Sequence, residues 1–236
     1  MTARSRERLA AGVAIAAVAI IAGVGVAQFA KDGSFWIDEA SVAASLVQLS
    51  PSELFGRLVG GQSFPRWLLL AIRAATGLFG FETMVARALP QLFFLLGTAA
   101  WGRLLYLRFR ASPLLVAIGG VLLLLPATWP VYGAMLKPYS LDVFLASIPF
   151  LLGDAFYDRA LGPSLGADSD GTRGAARLKL VAATLPVALS YPYALVLLAR
   201  AGGWWLQRAA TGRPRIDLAG TVAGISGLAG FTACLW

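Results

Sequence analysis

Long runs of apolar residues alternate with short polar segments along the 236-residue chain. Crossing a hydrocarbon layer about 30 Å thick takes about 20 helical residues. Apolar runs that approach this length lie at 9–29, 83–107, 113–130 and 141–157. A further run at 178–206 is broken at Pro192, and the last one begins near Asp217. The pattern predicts an all-α, polytopic transmembrane helical bundle of about seven spans or half-spans.

The segment 30–82 is predicted to be the first loop outside the cytoplasm, with interfacial amphipathic helices. Two short amphipathic stretches at 39–49 and 51–59 precede a Gly-Gly break. The piece that follows, "FPRWLLLAIRAATGLFG", is apolar apart from Arg66 and Arg73. These arginines favour a helix that lies on the membrane over one that crosses it. A crossing is the alternative, and it would invert the orientation of every later span.

The distribution of basic residues sets the predicted orientation. The first apolar run exceeds the 7–15 residues of a signal-peptide core, so we interpret it as a retained span with a cytoplasmic N-terminus. The polar segment 158–177 is predicted to be a mobile cytoplasmic linker. The segments assigned to the cytoplasm then hold thirteen of the twenty Lys and Arg residues: Arg4, Arg6, Arg8, Arg103, Arg108, Arg110, Arg159, Arg173, Arg177, Lys179, Arg208, Arg213 and Arg215. This bias agrees with the positive-inside rule.

Composition excludes several functional classes. A chain that is 58% hydrophobic cannot hide its apolar surface as a soluble domain. The net charge of +8 does not predict nucleic-acid binding, because the basic residues flank the apolar runs; membrane lipids are the expected partners. The chain contains no histidine, so acid–base chemistry must fall to Asp, Glu, Lys, Tyr or water. Two carboxylates could hold a divalent metal ion, but the sequence does not require one.

Two adjacent acids, Asp38 and Glu39, follow "SFW" in the first outer segment. One interpretation is structural: Asp38 caps a helix that starts at Glu39. The other is catalytic: one carboxylate, held beside Trp36 at the membrane interface, accepts a proton from a hydroxyl. The two interpretations are compatible.

A second candidate group lies in "LKPYSLDVF", in the short outer loop and the first turn of the following span. Lys137 runs against the charge bias, although snorkelling of its side chain to the interface would explain it. Asp142 is predicted one turn inside the span, where an acid is costly unless it is paired or lines a wet cavity. Lys137, Tyr139 and Asp142 are therefore candidate site residues. Phospholipid head groups would satisfy Arg66 and Arg73, and Arg87 is assigned to anchoring.

The first span, "FWIDEA", "FETMVARALPQLFFLLGTAAWGRLL" and "LKPYSLDVFLA", in this order, resemble the membrane glycosyltransferases of the GT-C fold. The resemblance is to the bacterial branch related to protein O-mannosyltransferases and lipid A aminoarabinose transferases. It covers about 9–236. Two departures stand out: Ser41 replaces an arginine that many relatives carry, and the chain is much shorter than most family members.

The resemblance implies a glycosyltransferase that takes a sugar from a polyprenyl-phosphate donor on the outer face of a bacterial plasma membrane. It implies catalytic roles for Asp38, Glu39 and Asp142. Donor-phosphate binding would fall to Lys137 and Arg66, with Tyr139 hydrogen-bonding nearby. Residues 1–236 would form a single catalytic module, truncated at its C-terminus or completed by a second chain. The alternatives are a transporter or flippase fragment, in which Lys137 and Asp142 form a gated ion pair, and a non-catalytic assembly protein.

Overall fold

The computed structural model describes residues 1–31, 33–124, 128–152 and 190–211. Over these ranges the chain forms helices and no strand. The predicted linker 158–177 and the predicted span beginning near Asp217 lie outside the described residues. The helices are α1 Ala3–Phe29, α2 Ile37–Gln48, α3 Arg66–Phe79, α4 Thr83–Phe109, α5 Pro113–Leu124, α6 Thr128–Gly133, α7 Tyr139–Leu152 and α8 Tyr191–Ala210, and short 3₁₀ turns occupy Glu53–Phe55 and Val59–Gly61.

The helices α1 and α4 are long and apolar enough to cross a membrane. Each contains 27 residues, which corresponds to about 40 Å of helix. They are antiparallel: Arg110, just after α4, lies 3.8 Å from Glu7 near the start of α1. At the other end, Phe94 packs against Gly25, where an added Cβ would lie 2.1 Å from the ring. The close approach of the two helices therefore depends on a small residue.

Two further apolar helices, α5 and α7, have 12 and 14 residues within the described ranges. Val116 of α5 is buried against Ala10 and Ala14 of α1. Of the roughly seven predicted spans or half-spans, two are both long and apolar enough to cross a membrane within the described ranges. The run predicted at 113–130 contains α5 and α6, and 125–127 lie outside the described residues.

The first outer segment folds beside the start of α4. A turn at Gly60 and Gly61, both with φ near 67°, separates α2 from α3, as the Gly-Gly break predicts. The buried face of α3 mixes polar Arg66 and Thr76 with leucine and isoleucine side chains, whereas Trp67, Leu78 and Phe79 are exposed. Large apolar side chains therefore lie on the outward face, where a helix that meets water carries polar ones.

The chain divides into two compact units, Met1–Ser147 and Ile148–Trp236. In the described part of the second unit, α8 begins at Tyr191, at the break predicted by "SYPY". The Ser190 side chain accepts a hydrogen bond of 3.1 Å from the Tyr193 amide, and Tyr193 and Leu197 are buried. The candidate site residues all lie in the first unit.

Candidate functional site

The buried carboxylate of Glu39 joins three separate parts of the first unit. The Arg87 guanidinium donates from Nε at 3.0 Å to Oε1 and from NH2 at 2.8 Å to Oε2. The backbone amide of Trp36 donates at 3.0 Å to Oε2, and the amide of Leu136 donates to Oε1. Glu39 is fully buried, and both of its oxygens are engaged by donors. The carboxylate thus connects the start of α2, the start of α4 and the loop before α7.

The rest of the Arg87 guanidinium is also occupied. It donates to the carbonyl of Gly33 at 2.7 Å and to that of Ser34 at 3.2 Å. It also lies over the ring of Phe35, 5.1 Å from the ring centre, a cation–π distance. Arg87 therefore fixes the whole entry to α2. We call Glu39, Arg87 and the amide of Leu136 the clamp.

The sequence-based assignments of Asp38 and Arg87 to capping and anchoring need correction. The helix begins at Ile37, two residues earlier than predicted, and Glu39 rather than Asp38 accepts a hydrogen bond from the amide of the N-cap residue Trp36. An acidic side chain at the third position of a helix can reach back to the backbone amide of the residue that precedes the helix. Arg87 is buried and pairs with Glu39 instead of facing lipid head groups. A buried acid needs a cation or several donors, but the sequence does not show that Glu39 is buried.

Asp38 and Lys137 meet at the edge of the clamp. Each is adjacent in sequence to a clamped residue, and their side chains approach to 3.3 Å between Oδ2 and Nζ. The Asp38 side chain is 60% exposed, whereas that of Lys137 is 13% exposed. The two stretches quoted from the sequence, separated by 99 residues, therefore come together at one accessible point.

Tyr139 and Asp142 lie in the first turn of α7, directly after Lys137. The ring of Tyr139 is partly exposed and packs edge-on against Tyr132, with 5.0 Å between ring centres. The amide of Asp142 donates to the carbonyl of Pro138 at 3.0 Å, which starts the helix, and its side chain is half-buried. The loop thus presents Lys137 and Tyr139 on the same side of the first unit as Asp38.

The two arginines of α3 have different surroundings. Arg73 donates to the carbonyls of Leu46, at 3.0 Å, and Leu49 at the end of α2, so it caps that helix and does not bind head groups as expected. Arg66 is buried at the start of α3, and burial lowers the pKa of its guanidinium.

The carboxylates of the site do not form a metal centre among the residues with described positions. No group of three or more His, Cys, Asp or Glu side chains comes together there. Asp38 and Glu39 are neighbours in sequence, but all the oxygens of Glu39 already accept hydrogen bonds within the clamp. The pair is therefore divided into one structural carboxylate and one accessible carboxylate.

The arrangement offers a carboxylate that can accept a proton next to an ammonium group that can balance an anion. Comparison of the chain with protein-family models, with curated proteins and with solved structures finds no match.

Proposed function

We propose that the chain is a membrane glycosyltransferase that moves a sugar from a polyprenyl-phosphate donor to an acceptor hydroxyl on the outer face of the membrane. The observation that carries the proposal is the Asp38–Lys137 pair, held at 3.3 Å with the carboxylate exposed. Two helices of spanning length and the proposed topology support a membrane location with this pair at the outer rim.

The reaction would be a single displacement with inversion at the anomeric carbon. Asp38 takes the proton of the acceptor hydroxyl as the hydroxyl oxygen forms its bond to that carbon. The bond from the anomeric carbon to the phosphate oxygen breaks, and polyprenyl phosphate leaves with one more negative charge than it carried in the donor. Proton, sugar and leaving group are thereby all accounted for.

The Asp38–Lys137 pair suits this redistribution of charge. Before the reaction the ammonium group of Lys137 balances the ionised Asp38. As Asp38 is protonated, its negative charge disappears and an equivalent charge develops on the leaving phosphate. Lys137, which sits on the first residues before α7, can then balance the phosphate by a short side-chain movement. No net charge has to be created beside the membrane.

The other predicted site residues take supporting roles in this proposal. Glu39 holds Asp38 and Lys137 in place through the clamp, where both of its buried oxygens accept hydrogen bonds. Tyr139 is exposed enough to hydrogen-bond the sugar or the phosphate, and Asp142 would orient this end of α7. The burial of Arg66 makes it the weakest of the predicted phosphate ligands.

The rival functions predict different chemistry at the same residues. A transporter or flippase would require a polar path towards the middle of the membrane, and a scaffold would require only that the acids stabilise the fold. The accessible carboxylate beside an ammonium group favours chemistry at the rim over either alternative.

Release of polyprenyl phosphate separates these functions. The full chain, purified in detergent or reconstituted into nanodiscs, is incubated with polyprenyl-phosphate sugars and a set of lipid, glycan and peptide acceptors. A transferase releases polyprenyl phosphate, and Asp38→Asn reduces the rate by a factor of about 10² or more, because a positioned base is typically worth 10² to 10⁴. Glu82→Gln, an exposed acid at the start of α4, is the matched control and keeps the wild-type rate. Wild-type release by Asp38→Asn would refute the assignment.

A further inference from the structure

A cavity of about 360 Å³ lies in the first unit, between α1, α4, α5, α6 and α7. Its walls are almost entirely apolar and include Ile21, Leu123, Trp129 and Val143. One of its wall residues, Leu122 of α5, is 59% exposed. In a chain embedded in a bilayer, this exposed apolar side chain would meet lipid and not water.

The cavity reaches the candidate site through α7. Tyr139 and Tyr132, whose rings pack edge-on, form part of its wall, and Tyr139 lies two residues after Lys137. An amphipathic molecule lying with its apolar part in the cavity could therefore place an anionic group near the Lys137 ammonium. A cation next to an apolar cavity complements a lipid with an anionic head group, so we favour an anionic lipid as the occupant.

The volume limits how much of a chain can enter. A water molecule occupies about 30 Å³ in the liquid, and a methylene group is of similar size. The cavity therefore accommodates about a dozen carbon-sized groups, which is about two or three isoprene units of five carbons each. The rest of a long polyprenyl chain would remain in the bilayer.

We propose that this cavity, and not the outward apolar face of α3, receives the first two or three isoprene units of the lipid donor, next to its phosphate. The inference rests on the proposed function for the identity of the lipid. It predicts that recognition depends on chain length up to about fifteen carbons and no further.

Thr98 distinguishes an apolar occupant from a polar one. Its side chain is almost fully buried in the cavity wall, and its hydroxyl has no hydrogen-bond partner among the residues whose positions are described. An isoprenoid gains nothing from this hydroxyl, so Thr98→Val should leave affinity unchanged or increase it. A ligand that places a polar group at this depth would lose a hydrogen bond and bind several-fold more weakly.

Photo-crosslinking tests the location directly. The probe is farnesyl phosphate with a diazirine on its third isoprene unit, applied to the full chain in nanodiscs. We expect labelled peptides from α1, α4 and α5 around Ile21, Thr98 and Leu123. Unlabelled farnesyl phosphate should compete, whereas dimethylallyl phosphate and dioleoyl phosphatidic acid should not. Labelling confined to the outward face of α3, at Trp67 and Leu78, would overturn the inference, as would competition by phosphatidic acid, which would identify a general phospholipid site.

A matched pair of variants on α5 provides a second test of the cavity assignment. Leu123→Trp fills the cavity and should reduce farnesyl phosphate labelling at least tenfold, whereas Val121→Trp, at an exposed position outside the cavity, should have no effect. Equal labelling of both variants, at wild-type thermal stability, would contradict the proposal. Thr98→Val should label at least as strongly as wild type, and a several-fold loss would indicate a polar occupant.

The probes carry no sugar, so the two proposals can fail separately. Specific labelling in the cavity without any sugar transfer would leave a lipid-phosphate site and remove the transferase function. Sugar transfer that Leu123→Trp does not alter would remove the cavity assignment and leave the transferase.

Discussion

Removing Arg87 should destabilise the first unit far more than removing an exposed ion pair. Arg87→Met eliminates four hydrogen bonds at once, two to Glu39 and one each to Gly33 and Ser34. It leaves a fully buried carboxylate that keeps only the amides of Trp36 and Leu136 as donors. Breaking a buried pair by removing one partner typically costs about 3–5 kcal/mol. This is a large part of the 5–15 kcal/mol by which a typical protein is stable.

A double-mutant cycle isolates the interaction energy between Glu39 and Arg87 from the other effects of each substitution. Glu39→Gln keeps the size of the side chain but removes the charge, and it should also cost several kcal/mol because it leaves Arg87 buried and uncompensated. The double variant Glu39→Gln/Arg87→Met carries no buried charge at this point. Its cost should therefore fall short of the sum of the single costs by about 1–3 kcal/mol.

The measurement is denaturant-induced unfolding of the full chain in detergent, followed by tryptophan fluorescence. The exposed Glu7–Arg110 pair, at 3.8 Å, is the matched control, and Glu7→Gln or Arg110→Gln should change the free energy of unfolding by less than about 1 kcal/mol. If Arg87→Met costs no more than these control variants, or if the costs of Glu39→Gln and Arg87→Met are additive, the clamp does not hold the site together.

Four further outcomes follow from the contacts of single residues. Lys137→Met should slow polyprenyl phosphate release at least tenfold with little change in the free energy of unfolding, since an ion pair whose carboxylate is 60% exposed contributes at most about 1 kcal/mol; wild-type release kinetics would argue against its role. Arg73→Met removes the cap on α2 and should cost about 1–2 kcal/mol in denaturant unfolding, whereas Arg57→Met, an exposed arginine of the same segment, should cost almost nothing. Gly25→Leu places a side chain against Phe94 and should cost about 1–3 kcal/mol or prevent α1 from packing on α4, in contrast to Gly23→Leu, which meets open space. Hydrogen bonding to Ser50, chiefly from its backbone amide, holds the pKa of Glu53 below its usual value, so the stabilisation by this carboxylate is present above the pKa of the unfolded chain and is lost as the pH falls through the folded pKa; carboxyl NMR titration of Glu53 checks the direction, and an unshifted or raised pKa would contradict it.

Part of this architecture follows from local sequence. The C-terminal boundary of α1 and the starts of α4 and α5 match the ends of their apolar runs, because a long apolar segment with charged flanks has few alternatives to a helix. The predicted topology places "WIDEA" and "LKPYS" on the same side of the membrane, since the first follows one crossing and the second follows three. That expectation depended on α3 not crossing.

The interior of the site was less accessible to sequence reasoning. Glu39 and Arg87 are separated by 48 residues, and Glu39 and Leu136 by 97. No local pattern reveals which of two adjacent acids turns inward when both suit the first turn of a helix. Arg73 resembled a lipid-facing cation because α3 is apolar on its exposed side, and only tertiary packing shows that the guanidinium reaches back to the end of α2.

Cross-linking of positions 38 and 137 tests the central claim most directly. In a Cys234→Ser background, Asp38→Cys and Lys137→Cys are combined and treated in membranes with a short bifunctional thiol reagent. The 3.3 Å contact between the native side chains predicts rapid cross-linking and loss of sugar transfer. The control pair Asp38→Cys/Arg110→Cys should remain unlinked, because Arg87, which contacts the neighbouring Glu39, lies about 35 Å from Arg110 along α4. Failure of positions 38 and 137 to cross-link in the folded protein would contradict the account.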